Sequence, residues 1–218
     1  FFTPVSIKNR CVELVKKYVT PTKILEPSYG TGEFLRTILS TWPDAKVTGI
    51  EMDPTLGIVL HPGVKTYKAD FLTSKINAGY DLVIGNPPYF ELPTASKYKA
   101  MYSSIVQGRF NIYALFVYKA ITLLNEKGVL CFVIPESIKS SPSFDKLRKF
   151  IVEKCEVLEL VSLGNFSSEV AQGCIIFMCQ KKAGGSTGRL VNLSTMIFTE
   201  NQCRTEKTIA DMGVTVKT

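Results

Sequence analysis

The feature that most limits how this chain can fold is an alternation of short apolar runs with helical patterns from its start to about residue 180. Val5, Ile7, Val12, Leu14, Val15 and Val19 recur at helical spacing behind a Thr3-Pro4 entry, and Pro21 ends that helix, predicted over 5–19. Apolar runs then predict strands at 23–27, 47–50, 65–69, 80–85, 129–134, 157–163 and 174–180, with helices over 33–41, 111–125 and 143–155. Glu126-Lys127-Gly128 is the predicted C-cap of the second of these. Strands that alternate with helices call for an α/β fold, a doubly wound and mostly parallel sheet with helices on both faces. An antiparallel strand is expected at its C-terminal end. The polar stretch 90–108 reads as a mobile loop. Residues 1–182 form the predicted domain, and 183–218 a linker and the start of a C-terminal region cut short.

Composition narrows the classes. Hydrophobic residues are 45% and charged residues 21%, which is ordinary for a folded globular chain and rules against disorder over most of its length. No run of about 18 apolar residues exists, so no membrane span is expected. The opening Phe1-Phe2-Thr3-Pro4 has neither an initiator methionine nor the features of a signal peptide, and the chain reads as a piece of something longer. Six scattered cysteines without a C-x-x-C pair read as free thiols in a reducing, cytoplasmic setting. The single histidine, His61, makes a multi-histidine zinc site impossible and reads as a loop residue, so no metal is expected. Lysine and arginine exceed the acids by 26 to 19, a surplus that favours a polyanionic partner without naming one.

The chemistry gathers at strand ends. The first strand runs into Glu26-Pro27-Ser28-Tyr29-Gly30-Thr31-Gly32, whose glycines permit a tight turn and close approach of backbone to a ligand. Leu35 stands where the third glycine of G-x-G-x-x-G would be, and no P-loop lysine follows, so phosphate cradling is not supported. Glu51 closes the second strand, about 20 residues on, where an acid can hold ribose hydroxyls. Asp70 closes the third. Acids ending successive strands at one edge point to a nucleoside cofactor. The next strand ends in Asn86-Pro87-Pro88-Tyr89, where two prolines force the chain to turn.

Together, Glu26-Pro-Ser-Tyr-Gly-Thr-Gly, Glu51, Asp70-Phe71 and Asn86-Pro-Pro-Tyr resemble the S-adenosylmethionine-dependent amino-methyltransferases. The likeness is nearer to the adenine-specific DNA methyltransferases whose Thr-Pro motif precedes the glycine loop. Thr3-Pro4 and Asn111-Ile-Tyr113-Ala-Leu-Phe116 fit that order, and the likeness spans residues 1 to 182. The resemblance implies a Rossmann-like methyltransferase sheet and a cofactor pocket made by Thr3, Glu26, Pro27, Ser28, Gly30, Gly32, Glu51, Met52, Asp70, Phe71, Pro88 and Phe116. In it Glu51 would hold the ribose, Met52 would lie against the adenine ring and Asp70 would accept from its amine. Thr3 and Glu26 would flank the methionine part, and Phe116 would face the sulfonium.

The amine of adenine is a poor nucleophile, because its lone pair is delocalised into the ring. The Asn86 side-chain oxygen and the Pro87 carbonyl would accept its two N–H groups, Pro87 and Pro88 would keep the loop rigid, and Tyr89 would stack on the base. No dedicated base is needed. An adenine in duplex DNA must flip out to reach such a site. Phe166 and Phe1 are the further candidate base contacts, and Lys97, Lys99, Arg109, Lys139 and Lys146 the candidate phosphate contacts. A target-recognition segment, C-terminal or on another polypeptide, is the expected partner besides DNA. The same loop chemistry also suits RNA adenine or a glutamine amide, and a catalytically silent cofactor-binding subunit is the third reading.

Overall fold

The computed structural model describes residues 3–56, 64–93, 95–164 and 173–184, and the backbone of 203–208. Its strands are β1 Lys23–Glu26, β2 Lys46–Glu51, β3 Val64–Lys68, β4 Tyr80–Gly85, β5 Leu124–Pro135, β6 Cys155–Gly164, β7 Cys174–Lys181 and β8 Cys203–Thr208. Its helices are α1 Val5–Val15, α2 Glu33–Thr41, α3 Lys97–Met101, α4 Tyr113–Leu123 and α5 Asp145–Lys154. One sheet holds the strands in the order β3-β2-β1-β4-β5-β7-β6-β8. Pairing is parallel from β3 through β5, and β7 runs antiparallel to both β5 and β6. The expected doubly wound α/β sheet is what forms.

Period-two alternation explains why both faces are covered. In β5, Val129, Cys131 and Val133 join a core with Ile7 and Leu14 of α1 and Phe34 and Ile38 of α2. Their neighbours Leu130, Phe132 and Ile134 join a second core with Tyr113 and Val117 of α4 and Leu147 and Ile151 of α5. A strand apolar on both faces belongs inside a parallel sheet. Each such side chain contributes about 1.5–3 kcal/mol relative to exposure. Strand order reverses between β1 and β4. Open α/β sheets bind ligands at that switch point, outside the carboxyl ends of the strands.

Three local expectations are corrected. Helix α1 stops at Val15 rather than Val19, because the amides of Lys17 and Tyr18 tighten to the carbonyls three residues back. The stretch 90–108 is packed rather than loose. Its Leu92, Tyr102 and Ile105 are buried, α3 lies within it, and the Tyr102 hydroxyl donates to the Leu72 carbonyl at 2.7 Å. Its serines and lysines mask these apolar anchors in the sequence. Finally, α4 passes directly into β5, and the left-handed residue there is Lys127 (φ 60°), not Gly128. Gly128 serves close approach instead, since a Cβ on it would lie 2.9 Å from the backbone oxygens of Asn125 and Tyr80.

Strand β8 adds to the sheet in parallel with β6, within the stretch read as linker and cut-short region. Phe1, His61 and Phe166 lie outside the described residues. No helix among the described residues is long and apolar enough to cross a membrane. The side chains of five of the six cysteines are described, and all five are buried.

Candidate active site

The carboxyl ends of β1, β2 and β4 and the turn after β3 surround a cavity of about 290 Å³. Its wall at β1 is Pro27, Ser28 and Gly30. Gly30 and Gly32 both have positive φ (53° and 81°), and Gly32 sits at the N-cap of α2, so the loop can turn back over the strand end. Glu51 pins that loop. Its carboxylate accepts the Gly30 amide at 2.8 Å and the Asp53 amide at 2.9 Å, and both oxygens retain acceptor capacity. Met52, Asp70, Phe71 and Phe116 continue the wall, and Asn86, Pro87 and Pro88 close it. A larger groove of about 720 Å³ lies among Lys23, Lys46, Lys65 and Tyr80, toward the amino ends of the strands. It contains neither the glycine loop nor the Asn-Pro-Pro turn, and the topology favours the smaller cavity.

Asn86 is held at both ends of its amide. Its Nδ2 donates to Thr3 Oγ1 at 2.9 Å, and its Oδ1 accepts from the Tyr89 hydroxyl. The same hydroxyl lies 2.5 Å from the Val133 carbonyl, and the Tyr89 ring meets Tyr113 edge-on with centroids 6.2 Å apart. Thr3 and Tyr89 therefore stand behind the cavity wall rather than in it. The Ser28 hydroxyl donates to the Asn86 carbonyl at 3.3 Å, which ties the two loops together.

The acids differ in electrostatics. Glu26 is 1% exposed, and burial pushes its carboxyl up to about 8 against the pull of the Ser28 amide, with the negative charge of Glu51 adding to the rise. Gly85, opposite on β4, makes room for it, since a Cβ there would fall 2.2 Å from Glu26 Oε1. For Asp70 burial also acts upward. Hydrogen bonds from Tyr98, Thr73 and the Leu72 amide, with Lys97 3.5 Å away, outweigh it and hold the carboxyl below its usual value. One acid is thus neutral near pH 7 and the other ionised. A cationic group beside Glu26 would favour its ionised form and bring that value down.

The Eco57I restriction-modification methylase family model matches residues 61–168. The modification methylase CviBIII of Paramecium bursaria Chlorella virus NC1A is 33% identical over 70% of this chain and 41% of its own length. The type II methyltransferase M.CvrRI of Paramecium bursaria Chlorella virus XZ-6E is 32% identical over 85% of this chain and 49% of its own. These matches support a methyltransferase domain in this chain. It spans less than half the length of these two relatives. Among solved structures, a protein of Listeria monocytogenes assigned as a class I S-adenosylmethionine-dependent methyltransferase superposes with a TM-score of 0.70 at 19% identity, over 88% of this chain and 64% of its own. The M protein of the type I restriction enzyme EcoKI gives 0.63 at 16% identity, over 84% and 44%. These last two likenesses concern the fold.

The cavity gathers Pro27, Ser28, Gly30, Glu51, Met52, Asp70, Phe71, Phe116, Asn86, Pro87 and Pro88 of the residues singled out in the sequence. Phe71 and Phe116 pack with centroids 5.0 Å apart. Glu26, Gly32, Thr3 and Tyr89 adjoin the cavity without lining it. Leu56, Ala69, Leu72, Phe90, Tyr98 and Ile112 line it and were not singled out. Phe90 directly follows a quoted motif and Ile112 lies inside one, so the motifs could have led to both. Tyr98 comes from the stretch read as a loop. Of the five candidate phosphate contacts, Lys97, Arg109 and Lys139 are ion-paired to Asp70, Glu91 and Glu136. A pair on the protein itself lowers their availability to a partner.

Proposed function

We propose that this domain transfers a methyl group from S-adenosylmethionine to the exocyclic amine of an adenine in DNA. The observation that carries the reading is that one cavity joins Glu51 and Asp70, which suit a nucleoside, to the Asn86-Pro87-Pro88 turn, which suits a planar conjugated amine. The named relatives, a modification methylase and a type II methyltransferase, favour DNA as the acceptor. The residues present fit the cofactor. Glu51 has oxygens for ribose hydroxyls, Asp70 can accept from the adenine amine, Phe71 and Met52 offer flat or soft apolar surface, and buried Glu26 suits the cationic end. When bound, S-adenosylmethionine supplies an electrophilic methyl group on a sulfonium.

The chain's own part is to make the amine reactive. The Asn86 side-chain oxygen and the Pro87 carbonyl accept its two N–H groups, which favours a nitrogen lone pair directed out of the ring plane. Thr3 keeps the Asn86 amide in that orientation. As positive charge grows on the nitrogen, these fixed dipoles gain strength without reorganising. Tyr89 stacks on the extruded base after turning its ring toward the cavity, and the proton leaves to solvent after transfer. Recognition of a target sequence is assigned to a further segment or subunit.

The test is transfer of labelled methyl from S-adenosylmethionine to unmethylated duplex DNA, with RNA and protein acceptors in parallel, followed by nucleoside analysis. Label in N6-methyladenine from DNA is expected, and Asn86→Ala should lower the rate by about 10²–10³-fold, the usual size for one lost transition-state contact. Label confined to RNA or to glutamine in protein would move the substrate and keep the mechanism. Cofactor binding without transfer to any acceptor, with this chain and with the longest polypeptide that contains it, would mean a silent subunit.

A further inference from the structure

The turn that carries Asp70 and Phe71 has no regular structure of its own. The chain leaves β3 at Lys68 and reaches β4 at Tyr80 without an intervening helix. Part of what holds it comes from α4. Phe116 and Lys119 lie three residues apart on one face of that helix. Phe116 packs against the Phe71 ring. Lys119 Nζ lies 2.5 Å from the Phe71 carbonyl oxygen, 3.2 Å from that of Leu72 and 2.7 Å from that of Ser74. The same ammonium sits 5.1 Å from the centroid of the Phe71 ring. An ammonium has three N–H donors, and here all three meet one backbone turn.

Nothing about this lysine is explained by charge pairing. It makes no ion pair among the described residues, and it does not line the cavity. Burial pushes its amine down, with only the more distant Asp70 acting the other way. Half-burying an ammonium without a carboxylate costs free energy that only strong hydrogen bonds offset. The three carbonyls provide them. Leu72, the middle residue of the turn, also receives the Tyr102 hydroxyl and sends its amide to Asp70 Oδ1 at 2.9 Å. Lys119 therefore reaches Asp70 through one residue and Phe71 directly.

We propose that Lys119 is a positioning residue for cofactor binding: it fixes the turn 70–74 so that the Asp70 carboxylate and the Phe71 ring meet the adenosine end of S-adenosylmethionine. This rests on the cofactor reading above. The role is specific to one end of the ligand, and that specificity makes it testable.

The experiment titrates two ligands, S-adenosylhomocysteine and 5′-methylthioadenosine, into the wild-type chain and into Lys119→Met, which keeps the aliphatic stem and removes the donors. Both ligands carry the adenosine end, and only the first carries the amino-acid end. Lys119→Met should weaken both by the same factor, about tenfold or more, the scale expected when a supporting contact is lost and the wall shifts. Lys119→Arg, which keeps charge and donors, should recover most of that loss. An unchanged affinity for both ligands would overturn the proposal. So would a larger loss for S-adenosylhomocysteine than for 5′-methylthioadenosine, because that pattern means general loosening of the site. If Lys119→Met does not fold, Lys119→Gln takes its place, and if neither folds the lysine is structural and the proposal falls. Failure of the wild type to bind either ligand would instead remove the cofactor reading itself.

Discussion

At the residue scale Glu26 stands apart, an acid with a buried carboxyl and no cation paired with it among the described residues. Its folded-state pKa, about 8, lies far above the 4.5 of an unperturbed glutamate. Between those values the folded chain holds a proton that the unfolded chain has lost, so stability falls as pH rises through that window. Its contribution is complete below about pH 4.5 and gone above pH 8. Glu26→Gln cannot titrate. The Tm of the variant minus that of the wild type should therefore widen from pH 5 to pH 8 and then level off, as read by thermal melts across that range. A constant difference would show that Glu26 is ionised in the fold. None of this was legible in the sequence. An acid at a strand end can be seen there, and so can the Asn86-Pro87-Pro88 chemistry, because residue type and order carry them. Gly85, which leaves space for the Glu26 carboxyl, is 59 residues away and is brought near only by β1 pairing with β4. The Tyr89 hydroxyl on the Val133 carbonyl has the same origin, a contact between β5 and a loop that no local pattern records.

At the element scale, periodicity located β1 through β7 and most helices because burial on two faces leaves a strong apolar signature. It failed at the stretch 90–108, where the anchors are tyrosines whose hydroxyls also make hydrogen bonds. Tyr98 and Tyr102 lie one turn apart. The first donates to Asp70 Oδ2 at 2.9 Å and the second to the Leu72 carbonyl at 2.7 Å. The Tyr102 ring also meets Tyr118 of α4 edge-on, with centroids 6.0 Å apart. The stretch thus leans on the Asp70 side of the cavity through these tyrosines, and its two ends are joined where the Leu92 amide donates to the Phe110 carbonyl. Tyr102→Ala removes a buried ring, a change that costs about 3–5 kcal/mol for aromatic residues in cores. Limited proteolysis should then cut within 94–108 at a protease dose that leaves the wild type intact, with the circular dichroism of the sheet unchanged. Equal resistance in both proteins would mean that the stretch is held by contacts other than this ring.

At the scale of the whole molecule, the cavity is not an appendage. Its wall takes residues from the carboxyl ends of β1 and β2, from the turns after β3 and β4, and from α4. Those strands separate the two hydrophobic cores, so neither core can open without pulling the wall apart. A ligand in the cavity should therefore oppose global unfolding and not only a local fluctuation. At a ligand concentration of about 100 times Kd, binding to the folded state alone adds about 2.7 kcal/mol. In a domain of this size each kcal/mol moves Tm by about 2–4 °C, which puts the expected shift at about 5–10 °C. S-Adenosylhomocysteine should produce it in the wild type. Asn86→Ala should retain it, because that side chain is assigned to the acceptor amine. Asp70→Ala should lose most of it, because the adenosine end loses its acceptor. A shift kept by Asp70→Ala and lost by Asn86→Ala would exchange the two halves of the cavity between cofactor and acceptor.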